Sequence, residues 1–139
     1  MRNVICCWCN KNADAFENHV PLYFSGKRNQ KLGSKTTIDT LFLSGHELLS
    51  ENYKRSLQEV GYRVHDVSKI YSELANAYAA LDPFGDYEKK CFLRWAVIST
   101  CFPGEQIIHY DGDVVFNEDP DVIPRLLRGK TFVMQGCAA

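Results

Sequence analysis

No run of about 18 or more consecutive apolar residues occurs, which excludes a membrane-spanning helix as read from hydropathy. A secretory leader is not expected from the first residues either. Met1-Arg2-Asn3-Val4-Ile5-Cys6-Cys7 is charged and then apolar, but the apolar stretch breaks at Asn10-Lys11-Asn12. That is too short for a signal-peptide core and offers no small-residue cleavage site. The expected compartment is the cytosol. Neither sign of charge dominates: 16 Lys and Arg face 17 Asp and Glu, for a net charge of -1 and a pI of about 6.4. No global field therefore recruits nucleic acid or an anionic membrane. The local cluster Lys27, Arg28, Lys31 and Lys35 could still meet phosphate, although a solvated loop is the simpler reading.

Internal repeats and low-complexity tracts are absent as well, and so is a second cysteine pair with zinc-site spacing. Cys6-Cys7-Trp8-Cys9 contains one C-x-x-C, but Asn10 to Asp14 reads as a loop. A redox pair needs a helix start there to lower its thiol pKa. The cysteines of this run are expected to act as small buried hydrophobes. What is present suits one ordinary domain over residues 1–139, with 45% hydrophobic and 24% charged residues.

Val4 to Trp8 is a short continuous apolar run, the pattern of a strand buried on both faces, and Thr40 to Ser44 is a second. Residues 10–37 between them read as an extended loop. Gly45-His46 turns the chain. Leu49, Tyr53, Leu57 and Val60 have the spacing of one helix face, with Gly61 as the stop. Tyr62 to Val67 alternates as a strand. Ile70, Leu74, Tyr78 and Leu81 mark another helical stripe, ended by Asp82-Pro83. Asp86 is expected to cap a third helix that buries Cys91, Trp95, Ile98 and Phe102 and stops at Pro103-Gly104. Gln106 to Tyr110 is the next strand. Asp121 is expected to cap a short helix through Pro124 to Gly129, and Thr131 to Met134 to form a last strand. Strands alternating with helices favour a Rossmann-like parallel α/β sheet with right-handed crossovers. Ending just after a strand, the chain reads as the N-terminal part of a longer protein.

Asp111-Gly112-Asp113 closes the strand before it and precedes the apolar Val114-Val115-Phe116. Two carboxylates at i and i+2 on an extended segment point the same way and repel unless a cation joins them. Mg²⁺ or Mn²⁺ suits such oxygens and can take diphosphate oxygens at the same time. Gly112 lets a ligand approach the backbone. The carboxyl ends of parallel strands are where α/β sheets bind ligands. His109 shares the parity of both acids and is either part of that face or a hydrogen-bonded core residue.

Ile107 through Val115 resembles the D-x-D strand of A-type nucleotide-diphospho-sugar transferases, and Tyr87 to Trp95 resembles the helix that precedes it there. Residues 117–128 and the Gly129-Lys130-Thr131-Phe132 stretch are similar to the elements that follow. The likeness covers roughly the last 55 residues. It implies an A-type glycosyltransferase fold, truncated here, in which Asp111 contacts ribose or metal and Asp113 ligates a Mn²⁺ or Mg²⁺ holding the diphosphate. It also implies that the end of the first strand, Trp8 and Asn10, borders the nucleoside. Trp8 would stack on a base or serve as a core tryptophan. Lys90 or Arg94 would approach phosphate, or else remain a surface lysine and a helix-packing arginine. With Tyr110 and Gly112 these complete the implied set for the nucleotide sugar. The implied reaction is glycosyl transfer to an acceptor hydroxyl, with the acceptor unknown, nucleic acid not a partner, and the acceptor site and any base expected in a further C-terminal part.

Asp111-x-Asp113-x-Val115 also matches the first motif of haloacid-dehalogenase-like phosphohydrolases. There the first acid is a nucleophile and the second a general acid/base. That motif normally opens its domain. An EF-hand loop fails, because Val115, Phe116 and Val122 stand where an oxygen ligand, glycine and glutamate belong. A non-catalytic truncated interaction domain is the third reading.

Overall fold

A computed structural model describes residues 1–10, 17 and 21–130. The loop expected at residues 11–14, the strand expected at Thr131 to Met134, and Cys137 lie outside the described residues. The elements are β1 (Arg2–Trp8), α1 (Leu22–Lys31), β2 (Ile38–Ser44), α2 (Glu51–Glu59), β3 (Tyr62–Asp66), α3 (Ser68–Ala77), α4 (Asp86–Cys101), β4 (Ile107–Tyr110) and α5 (Ile123–Leu126). Three short 3₁₀ turns punctuate them at His46–Leu48, Ala79–Leu81 and Pro120–Val122.

Among the described residues four strands form one sheet in the order β3-β2-β1-β4, and every pairing is parallel. The expected α/β class is therefore observed, with a Rossmann-like sheet between helices. Val4 to Cys7 are buried in succession because both faces of β1 are covered. Ile5, Cys7 and Phe42 pack with Leu22 of α1 and with Tyr53 and Leu57 of α2. Val4, Cys6 and Leu41 face the other way, against Tyr71 of α3 and Leu93, Val97 and Ile98 of α4. The described cysteines are free, and Cys6, Cys7 and Cys9 are buried as small hydrophobes.

The helix at Leu49 to Val60 forms as its pattern demands. Ser50 caps it by accepting the Tyr53 N–H at 3.1 Å. Four other expectations need correction. First, residues 22–31 are helical, not loop. The stripe α1 buries is Leu22, Ser25, Gly26 and Asn29, too small and polar to show a hydrophobic period. Gly26 is the reason the packing works: a Cβ there would stand 2.5 Å from Val60 Cγ2 and 2.8 Å from Tyr62 Cε2. Ser25 Oγ also donates to the Val114 carbonyl (2.7 Å) and Tyr62 OH to the Leu22 carbonyl (2.9 Å).

Second, α4 buries Lys90, Leu93, Val97 and Ile98, leaving Trp95 about half exposed. Apolar residues surround this helix, so periodicity misplaces its packed face. Third, Gly85 is the N-cap, and Asp86 spends its carboxylate on Lys90 one turn on. Fourth, Asp119 caps the turn at Pro120, accepting from the Asp121 N–H at 2.9 Å. Asp121 instead binds Ser34 Oγ and the Lys35 N–H, both at 3.2 Å. The second helical stripe is also shorter than expected: α3 ends at Ala77, and Tyr78 is exposed.

Candidate functional site

The strand order reverses between β1 and β4. From β1 the chain moves outward to β2 and β3 with α1 and α2 on one face; it returns through α3 and α4 on the other to place β4 on the far side. In open parallel sheets a ligand crevice forms at the carboxyl ends of the two strands that flank such a reversal, here β1 and β4. A cleft of about 280 Å³ lies there, lined by Cys6, Trp8, Tyr87, Cys91, Arg94 and the Asp111-Gly112-Asp113 triplet.

Each wall follows from a simple periodicity. Cys6 and Trp8 share one face of β1, spaced by two. Tyr87, Cys91 and Arg94 stand at i, i+4 and i+7 on α4, one stripe beside its buried face. Their spacing is the only signal that Cys6, Tyr87 and Cys91 join the cleft; their residue types alone give none. The triplet is a turn rather than extended chain, with the Val114 N–H donating to the Asp111 carbonyl at 3.1 Å. Both acids nevertheless reach the same cleft, and both are exposed. A Cβ on Gly112 would meet Cys7 Sγ at 3.5 Å and Ile5 Cγ2 at 3.8 Å, so the glycine's missing side chain faces the sheet.

Arg94 crosses the cleft to Asp111, Nη1 to Oδ1 at 2.8 Å. Its Nε is buried and unpartnered among the described residues. Asp113 accepts no hydrogen bond from a described side chain and is left free to meet a cation. Opposite the acids, Trp8 and Tyr87 meet edge to face with ring centroids 5.8 Å apart. Burial pushes the Cys6 thiol up to about 12, against a smaller opposing pull from Arg94, so it stays a neutral thiol at physiological pH.

No protein-family model, curated protein or solved structure matches this chain.

Of the sequence-derived site residues, Trp8, Arg94, Asp111, Gly112 and Asp113 meet in the cleft. Lys90, Tyr110 and Asn10 do not line it. Lys90 is buried, pairs with Asp86, and lies 5.9 Å from the ring centres of both Trp8 and Tyr71, so it supports the aromatic wall from beneath. Tyr110 has the opposite strand parity. It donates to Asn3 Oδ1 at 2.8 Å and packs on Phe116 in the other core layer. Asn10 is exposed at the end of β1. Among the described residues, no group of three or more His, Cys, Asp or Glu is placed to hold a metal ion.

His109 also stands outside the cleft. Its ring lies 4.8 Å from that of Trp95, and its Nε2 is buried without a partner among the described residues. Burial, reinforced by the Arg94 charge, lowers its pKa to about 4, with Asp111 pulling weakly the other way. The native imidazole is therefore neutral. Between the unfolded value of about 6.5 and the native value of about 4, only the unfolded chain takes the proton. Stability should thus fall by about 3 kcal/mol as pH drops through that window, and this contribution should level off below it. Thermal melts of wild type and His109→Phe from pH 7 to pH 4 test this: the wild-type slope should be largely absent in the variant. Parallel curves would refute the assignment.

Proposed function

We propose that the cleft is the donor site of a metal-dependent A-type glycosyltransferase, binding a nucleotide-diphospho-sugar for transfer to an acceptor hydroxyl in the cytosol. One observation carries the reading: two exposed acids, an arginine and an aromatic wall converge where the strand order reverses. The donor set suits Mn²⁺ or Mg²⁺. Mg²⁺-like ions are typically held by one or two carboxylates, with phosphate and water oxygens completing the shell, so a pair of acids without a third protein ligand is adequate. Asp113 and the second oxygen of Asp111 would hold the ion, which would supply charge neutralisation for the departing nucleoside diphosphate.

The chain's own residues divide the remaining work. Arg94 fixes the Asp111 carboxylate and brings a positive charge to the cleft wall, where it would face the diphosphate. Trp8 and Tyr87 offer an aromatic surface to a nucleobase, and Lys90 holds the indole from behind. The neutral Cys6 contributes apolar lining and no nucleophile.

The decisive experiment is a thermal-shift panel of nucleoside diphosphates and nucleotide sugars, each with and without Mn²⁺. A ligand at about 100 times its dissociation constant adds about 2.7 kcal/mol to the folded state, a melting shift of several degrees. The shift should require Mn²⁺ and vanish in Asp113→Ala. A folded chain that responds to no nucleotide under either condition would overturn the proposal.

A further inference from the structure

The outer face of α1 has a pattern unrelated to the cleft. Phe24, Lys27, Arg28 and Lys31 stand at i, i+3, i+4 and i+7, a single stripe opposite the buried Leu22, Ser25, Gly26 and Asn29. Phe24 is 64% exposed with three exposed cations around it. Asp121 ties the turn after α1, through Ser34 and Lys35, to the start of α5. That neighbouring element adds exposed Arg125, Arg128 and Lys130, and between them Leu126 at 73% exposure. With Lys35 the surface gathers seven of the chain's 16 basic residues, although the chain as a whole carries a net charge of -1. None of the seven forms an ion pair with a described residue, whereas Arg2, Arg63, Lys54, Lys89, Lys90 and Arg94 elsewhere in the molecule are each paired with an acid.

We propose that this face docks on an anionic phospholipid surface, the cations meeting headgroup phosphates and the Phe24 and Leu126 side chains entering the interface. Charge complementarity selects a polyanion. The two apolar tips select lipid among polyanions: an exposed Phe and Leu beside headgroup-bound cations gain by burying apolar area at the acyl boundary, which a purely polar polyanion does not offer. A nucleic-acid groove would leave a protruding Leu126 without a partner. The docking face lies on the α1–α2 side of the sheet, and the cleft is walled by α4 on the other side, so attachment leaves the cleft open.

Co-sedimentation of the full chain with vesicles tests this, using phosphatidylcholine alone and phosphatidylcholine with about 30% phosphatidylserine. The protein should pellet with the anionic vesicles only and be released at about 0.5 M salt. The triple variant K27E/R28E/K31E should bind roughly 100-fold more weakly, about fivefold per cation. Phe24→Ser should weaken binding roughly tenfold with its salt dependence unchanged. Asp113→Ala should bind like wild type, which separates this surface from the cleft. All five positions are exposed, and matched circular dichroism melts would establish that the variants are folded. No pelleting of the folded wild type with anionic vesicles, or equal pelleting with neutral ones, would overturn the proposal. Binding of a labelled single-stranded RNA through the same residues, with none to vesicles, would overturn it in favour of nucleic acid.

Discussion

Asp39→Ala should lower the unfolding free energy by about 3 kcal/mol or more, the range for removing one partner of a buried ion pair. The carboxylate is 1% exposed and sits near the start of β2. The parallel register brings Val4 of β1 and Arg63 of β3 beside it. Arg2 and His65, each two residues along from those neighbours, share its face. It accepts from Arg2 Nη1 at 2.8 Å, from Arg63 Nε at 2.9 Å and Nη2 at 2.6 Å, and pairs with His65 Nε2 at 2.7 Å. Arg2 is held in turn by Glu105, 2.8 Å away and two residues before β4, so Asp39 ties β1, β2 and β3 together and Glu105 extends the network toward β4. Arg63 and His65 can partly rehydrate at the rim, which places the expected loss at the lower end of the range. Burial raises the Asp39 pKa, but hydrogen bonds from Arg63, Arg2 and His65 outweigh it and hold the value below the usual carboxylate range. The stabilisation is therefore complete above the unfolded value of about 3.9 and disappears as pH falls through the lower native value. Urea denaturation at pH 7 and near pH 2.5 should show the difference between wild type and variant shrinking in acid. A difference under about 1 kcal/mol at pH 7 would mean that the network is energetically idle.

Asp39 also marks where a sequence reading stops. The apolar run from Thr40 to Ser44 identifies a strand, but an acid before such a run looks like a turn residue, because its counter-charges lie on β1 and β3 and become visible only in register. The same division holds elsewhere. The strands, α2 and the order of the elements are legible, since burial on two faces and a 3.6-residue stripe leave direct traces in residue type. Helix α1 is not, because it packs through Gly26, Ser25 and Asn29, where contact comes from small size and backbone approach. In the cleft the acids and Trp8 are legible as unusual residues at strand ends. Tyr87 and Cys91 are not, because apolar residues occur on every side of α4 among its charged ones and give no single phase. The family resemblance points Lys90 and Tyr110 to the nucleotide sugar, whereas helix phase and strand parity send them elsewhere.

Gly45→Ala should cost about 4 kcal/mol or more and should disturb the cleft as well as the fold. Gly45 follows β2 at φ +78°, in the left-handed region that an alanine enters only with strain. A Cβ there would stand 2.0 Å from the Cys9 carbonyl oxygen and 2.7 Å from its carbon, and a backbone obstacle cannot rotate away. Conformational strain and overpacking each contribute about 1–3 kcal/mol. Relief requires the ends of β1 and β2 to separate, although the Cys9 N–H donates to the Ser44 carbonyl at 3.0 Å. Trp8 precedes that contact and forms part of the cleft wall, so the displacement would reach the aromatic pair with Tyr87. Gly33→Ala is the matched control. It has the same φ of +78°, but among the described residues nothing lies within 4 Å of the point a Cβ would occupy, so it should cost only about 1 kcal/mol. Chemical denaturation should separate the two by several kcal/mol, and tryptophan emission should shift in Gly45→Ala alone. Equal losses at both positions would show that backbone strain sets the cost and that the close approach of Gly45 to Cys9 contributes nothing.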